Sequence, residues 1–223
     1  MIYAFYLQRS KLCLEFEQLE REINSFPTVI RNAILKYKNR ADQEASILGK
    51  LLLKYGFIQL GFDGNALLQQ LTTDTNGKPS IAQSSLSFSI SHSDDFIICV
   101  LTSNPSIGVD IEKVTPIPQE DYTFLLRKDE QIQIAQSSQK DRAFYQLWTQ
   151  KEACLKADGR GLSFPLENVF ISHDIASVDT TIWYLEELLL SDVYCCTIAT
   201  NTKRQNEIVK QQIHDINSLL SSY

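Results

Sequence analysis

The sequence is poor in the residues that build metal and covalent frameworks. Its three histidines (His92, His173, His214) lie far apart, and its five cysteines (Cys13, Cys99, Cys154, Cys195, Cys196) form no CxxC pair. A His/Cys zinc site therefore has no support. An odd cysteine count without a signal-peptide pattern reads as reduced, mostly buried thiols in a cytoplasmic protein. No stretch approaches the ~18 consecutive apolar residues of a membrane span. The Gly-rich fingerprints of nucleotide-binding folds, GxGxxG and GxxxxGK[ST], are both missing. Positive charge is also in deficit: 21 Lys and Arg against 27 Asp and Glu give a net charge of −6. That balance gives no support to a general nucleic-acid-binding role.

What is present is an ordinary globular composition. The chain has 223 residues, 43% hydrophobic and 22% charged, enough for a sizeable core in one large domain or two small ones. Ile2 to Leu7 is short, apolar and aromatic, which predicts a strand. Leu12, Phe16, Leu19 and Ile23 recur at helical spacing over Leu12 to Ser25. Pro27 breaks that helix, a second begins near Val29, and a longer one spans about Asp42 to Tyr55, with Gly56 suited to its C-terminal cap. Asn76-Gly77 is a turn signal, and Pro79 stiffens the backbone beyond it. Leu86 to Ser91, Phe96 to Leu101 and Ile107 to Ile111 read as three consecutive strands, and Pro105 marks a junction. Helices are expected over Asp121 to Gln136 and Arg142 to Ala157. Strands follow at Asn168 to Ser172, Thr181 to Leu185 and Val193 to Ala199. The tail from Glu207, with Ile208, Ile213, Ile216, Leu219 and Leu220 near one stripe, reads as a helix. This pattern suggests two α+β subdomains, 1–104 and 105–223.

Three groups of residues carry potential chemistry. Asp110 and Glu112 lie two apart on a strand, so both leave one face while Ile111 turns to the other. Two such carboxylates repel unless a cation joins them, and a hard divalent ion such as Mg²⁺ is suited to oxygen donors. The plain alternative is a strand end with two surface acids. Glu152 and Lys156 are four apart on a helix, which fits an i,i+4 ion pair worth a few tenths of a kcal/mol. It equally fits a third oxygen ligand or general base beside a phosphate-neutralising lysine. Ser91-His92 at a strand end is the third group, a structural hydrogen-bonding pair or a phosphate contact.

The order of these groups resembles a known family. Asn76-Gly77-Lys78-Pro79, Phe88-Ser89-Ile90-Ser91-His92-Ser93, Ile107-Gly108-Val109-Asp110-Ile111-Glu112 and Trp148 to Lys156 (WTQKEACLK) follow one another as in the 4′-phosphopantetheinyl transferases of the larger, surfactin-synthetase-activating type. The resemblance spans about Asn76 to Leu166 and is looser before it. It implies a monomer of two similar subdomains related by a pseudo-twofold axis, each a small antiparallel sheet packed with a long helix, with coenzyme A bound between them. It also implies transfer of 4′-phosphopantetheine to a serine of an acyl or peptidyl carrier protein, with release of adenosine 3′,5′-bisphosphate. By position, Asp110, Glu112 and Glu152 correspond to Mg²⁺ ligands. Ser91, His92 and Lys156 correspond to coenzyme A phosphate contacts, and Gly77, Lys78 and Pro79 to contacts at the adenosine end. Glu152, or a metal-bound water that it orients, would take the serine proton. Lys128, Lys151 and Arg160 are candidates for meeting the carrier.

One departure stands out. Ala45, Ile30 and Ala33 occupy positions where the family commonly has basic residues for the 3′-phosphate, with Arg31, Lys36 and Arg40 as possible substitutes. Two competing functions are a metal-dependent hydrolase of coenzyme A-type pyrophosphates and a non-catalytic relative. Neither nucleic acid nor membrane is an expected partner.

Overall fold

The computed structural model describes residues 1–12, 16–82, 84–118, 123, 125–203 and 207–220. Positions 13–15 of the expected Leu12 to Ser25 helix, Cys13 among them, and positions 121, 122 and 124 of the expected Asp121 to Gln136 helix lie outside them. The chain divides into two compact units. One comprises Met1–Asp74, Pro79–Ser103 and Asn206–Tyr223; the other, Thr75–Lys78 and Asn104–Gln205.

In the first unit, β1 (Ile2–Gln8) leads to α1 (Phe16–Ser25), α2 (Thr28–Leu35), α3 (Arg40–Gln59) and α4 (Gly64–Gln69). A hairpin of β2 (Leu71–Thr73) and β3 (Pro79–Ile81) precedes β4 (Ser87–Ser93) and β5 (Phe96–Thr102). Asn39 caps α3, its side chain accepting from the Ala41 amide at 2.9 Å. From Ala45 onward α3 is buried almost all round, with Ile47, Leu48, Leu51, Leu52, Leu53 and Phe57 inaccessible. A buried aliphatic side chain of this kind contributes roughly 1.5–3 kcal/mol. Gly56 does not cap this helix. It lies inside it, where a Cβ would fall 2.6 Å from Leu101 Cδ1, so the glycine serves close packing.

In the second unit, β6 (Ile107–Lys113) is followed by α5 (Lys128–Gln136) and α6 (Lys140–Asp158). Then come β7 (Val169–Ser172), β8 (Ile175–Val178), β9 (Thr181–Glu187) and β10 (Tyr194–Thr200). The antiparallel sheet runs β6-β10-β9-β8-β7, with α6 lying on β6 and β10. Gly159 ends α6 at φ 98, the left-handed conformation that glycine adopts without strain.

The tail overturns two expectations. Ile208–Ile213 is not helical but a strand, β11, and only Asn217–Leu220 forms a short helix, α7. β11 pairs in parallel with the edge strand β1, so the first sheet, β11-β1-β5-β4, is mixed rather than antiparallel. The run Ile208-Val209 is β-branched, and pairing satisfies the exposed edge of β1. Ile213, Ile216 and Leu219 then join the first unit's core. The tail thus belongs with the first unit, not with residues 105 onward.

Candidate active site

Alternation along β6 sends Gly108, Asp110 and Glu112 to one face and Ile107, Val109 and Ile111 to the other. The register identifies the first face. Asp110 lies opposite Thr197 and Glu112 opposite Cys195 on β10. Thr197 Oγ1 is 3.0 Å from Thr149 Oγ1 of α6. The carboxylates therefore leave the sheet on the side covered by α6.

Gly108 allows that cover to be close. A Cβ there would lie 2.0 Å from the Ala153 carbonyl oxygen and 2.5 Å from the Ala157 nitrogen, both backbone atoms of α6. The helix can sit this low only over a residue with no side chain. Two positions along β6, Asp110 then meets the helix's functional side. Lys156 Nζ donates to Asp110 Oδ1 at 2.7 Å. The local i,i+4 pair between Glu152 and Lys156 is thus replaced by a contact from helix to strand. Asp110 is only 4% exposed, so it is not an ordinary surface acid; Glu112 is half-buried.

Glu152 is buried, and its Oε1 has no hydrogen-bond partner. Burial pushes its carboxyl up to about 7; Asp110 and Glu112 push the same way, and Lys156 opposes them. Glu152 thus feels two further carboxylates and one ammonium, with one of its own oxygens unpartnered. Among the described residues, no three Asp, Glu, His or Cys side chains are already gathered in ligating geometry. The donors are nevertheless hard oxygens, one of them buried without a partner, and this set fits a divalent cation such as Mg²⁺.

The other candidates are arranged differently. Ser91 and His92, adjacent on β4, project to opposite faces, with Ser91 buried and His92 exposed. Their side chains therefore do not converge. Gly77 takes φ 86 in the turn, as the Asn-Gly signal predicts, and Pro79 opens β3. Lys78 donates to the Ala157 carbonyl at 2.6 Å, and Ser106 Oγ donates to the same oxygen. A cation at that carbonyl complements the negative C-terminal end of α6.

Lys151 is not available to a carrier. It is inaccessible, with Nζ 2.8 and 2.9 Å from the two Glu130 oxygens and 2.8 Å from the Leu166 carbonyl. Arg160 is held by Asp158 and by Asp179 at 2.8 Å, and lies over the Phe164 ring. Lys128 is exposed. Cys154 is a packed thiol whose pKa burial pushes up. Sequence reasoning also left the role of Gly108 and the Lys151–Glu130 pair unread. Gly108 had a signal, a glycine two residues before the acid pair on a strand facing a helix. A cavity of about 450 Å³ between α5 and α6, lined by Arg127, Gln133, Gln146, Gln150 and His173 among others, includes none of the three carboxylates.

Residues 106–199, within the second unit, match the model of the 4′-phosphopantetheinyl transferase superfamily. The chain is 32% identical over 177 residues to the 4′-phosphopantetheinyl transferase Sfp of Bacillus subtilis, covering 75% of this chain and 74% of that protein. The chain belongs to the 4′-phosphopantetheinyl transferases. It is also 31% identical over 171 residues to the transferase ffp of Bacillus subtilis, with 75% and 74% covered. With the transferase gsp of Aneurinibacillus migulanus it shares 31% over 144 residues, 63% of this chain and 59% of that one. As an enzyme of the Sfp type, this transferase has Asp110, Glu112, Glu152 and Lys156 all inside the segment matched by the family model. No helix among its described residues is long and apolar enough to cross a membrane.

Proposed function

We propose that this transferase moves the 4′-phosphopantetheine arm of coenzyme A onto a serine of an acyl or peptidyl carrier protein, with catalysis at Glu152. The observation carrying this reading is the buried, unpartnered Glu152 oxygen beside Asp110, Glu112 and Lys156. Asp110, Glu112 and Glu152 would hold Mg²⁺, which when bound supplies Lewis-acid stabilisation to pyrophosphate oxygens.

The reaction joins the serine Oγ to the phosphorus that bears pantetheine and breaks the bridging P–O bond, so that adenosine 3′,5′-bisphosphate leaves. Lys156 neutralises charge gathering on the phosphate oxygens. Glu152, or a water that it orients, accepts the serine proton. His92 and the Ser91 backbone serve as further phosphate contacts, and Gly77, Lys78 and Pro79 as contacts at the adenosine end. In this reading residues 1–104 contribute chiefly to the adenosine end and residues 105–223 supply the metal site. Lys128 remains a candidate for carrier contact.

The enzyme acts as a monomer: Asp110, Glu112, Glu152 and Lys156 come from a single unit of one chain, which supports a centre that needs no second copy. The free thiols Cys99, Cys154, Cys195 and Cys196 suit the reducing cytoplasm. Intact-mass analysis of a carrier incubated with enzyme, Mg²⁺ and coenzyme A tests the function. One added phosphopantetheine group is expected. Nucleotide cleavage with an unmodified carrier would favour the hydrolase instead.

A further inference from the structure

Thr75–Lys78, the turn between β2 and β3, is the part of the chain before Asn104 that belongs to the second unit. Something in that unit must hold the turn, and one backbone oxygen identifies it. An α-helix leaves its last four carbonyls without partners inside the helix. At the end of α6, the Gly159 N–H serves the Leu155 carbonyl at 2.9 Å. The Ala157 carbonyl, on a residue only 1% exposed, is met from outside the helix instead. Lys78 Nζ donates to it at 2.6 Å, and Ser106 Oγ donates to the same oxygen. A carbonyl oxygen has two lone pairs, so both donors are accommodated.

Ser106 is itself fixed. It immediately precedes β6, and its carbonyl accepts from Thr200 Oγ1 of β10 at 3.1 Å. Its hydroxyl lies 3.4 Å from Lys78 Nζ. Two residues on, Gly108 lets the Ala157 nitrogen approach β6, since a Cβ there would fall 2.5 Å from it. The end of α6, the start of β6 and the turn therefore meet at one carbonyl, on the residue after Lys156.

We infer that Lys78 and Ser106 are positioning residues that clasp the Asn76-Gly77 turn to the end of α6. The inference rests on the reading that this turn meets the adenosine end of coenzyme A. Lys78 then serves that end through the backbone it holds, with Gly77 at φ 86 before it and Pro79 after it, and not through an ion pair with a phosphate. The clasp ties the adenosine contacts to the stretch of α6 that carries Lys156. Ser106, which lies outside the sequence motifs, is the smaller half of it.

A double-mutant cycle on the full chain tests this, read by calorimetric titration with coenzyme A, adenosine 3′,5′-bisphosphate and 4′-phosphopantetheine in the presence of Mg²⁺. Lys78→Met should weaken coenzyme A and the bisphosphate by about 10-fold and Ser106→Ala by about 3-fold, the range of one lost hydrogen bond. Neither should change the affinity for 4′-phosphopantetheine, which has no adenosine. The double variant should bind no more weakly than Lys78→Met, because the turn is already released once Lys78 is lost. Lys78→Arg should restore most of the affinity, since a guanidinium also donates to a carbonyl. Losses that multiply in the double variant would make Lys78 a direct ligand contact and overturn the clasp. Unchanged affinity for coenzyme A in both single variants, or equal weakening of all three ligands, would overturn it too. A wild type that binds none of them would overturn the clasp and the coenzyme A reading together. The expected cycle in an enzyme that leaves every carrier unmodified would sink the transferase reading alone.

Discussion

Lys151 and Glu152 are neighbours on α6, and both are buried, yet their surroundings differ. Lys151 has carboxylate oxygens on one side and a backbone carbonyl on the other, while Arg127 supports Glu130 from 3.1 Å. Every charge there is met within the fold. Glu152 has an oxygen with no partner, two further carboxylates close enough to raise its pKa, and one lysine engaged with Asp110. The first group is complete and ties α5 to α6. The second keeps one buried carboxylate oxygen, Glu152 Oε1, without a hydrogen-bond partner. The contrast separates residues that hold the helix in place from the residues proposed to act in catalysis.

The largest effect on folding is expected on the complete side. Lys151→Met leaves Glu130 buried with half its support and should cost about 3–5 kcal/mol in denaturant unfolding. A loss below about 1 kcal/mol would mean that the network does not anchor α6. Gly108→Ala comes next, because the added methyl meets helix backbone that has no rotamer to yield. It should cost about 3 kcal/mol and abolish transfer together with stability.

Glu152→Gln should do the reverse, abolishing activity while stabilising the metal-free protein. The carboxyl keeps its proton in the fold up to about pH 7 but releases it near 4.5 when ordinary. Unfolding between those values therefore releases a proton. The contribution of Glu152 is fully present below about 4.5 and is lost as pH rises through 7. Unfolding at pH 8 without divalent ions should show the variant more stable than wild type by up to about 3 kcal/mol, with the difference vanishing near pH 4. Mg²⁺ should raise the melting temperature of wild type more than that of the variant. A variant less stable than wild type at pH 8 would erase the contrast with Lys151. The smallest effect belongs to Lys78→Met, which removes a cation from the C-terminal end of α6 and should cost about 0.5–1 kcal/mol in unfolding.

Much of this was legible before the fold was known, for identifiable reasons. Strict alternation makes Asp110 and Glu112 share a face whatever lies around them, and the apolar run from Phe96 to Leu101 has few alternatives to a buried strand. Asn76-Gly77 declares its turn locally. The unread parts depend on partners distant in sequence. Ile208 to Ile213 becomes a strand because β1 offers it an edge. Gly56 looks like a helix end until Leu101 is set against it. Lys151 reads as a surface cation because Glu130 and Leu166, its partners, lie 21 and 15 residues away. Ser91-His92 reads as one pair, although the pleat divides it between two faces. The site's carboxylates were visible as candidates; the close seating of α6 over Gly108, which makes them a group, was not.

The charge group at Glu152 is proposed as the catalytic centre for phosphopantetheine transfer. Its most direct test is the intact mass of a carrier protein after incubation with coenzyme A, Mg²⁺ and either wild-type enzyme or Glu152→Gln. Modification by wild type and a rate about 10²- to 10⁴-fold lower with the folded variant are expected. Equal modification by the two proteins would contradict the account.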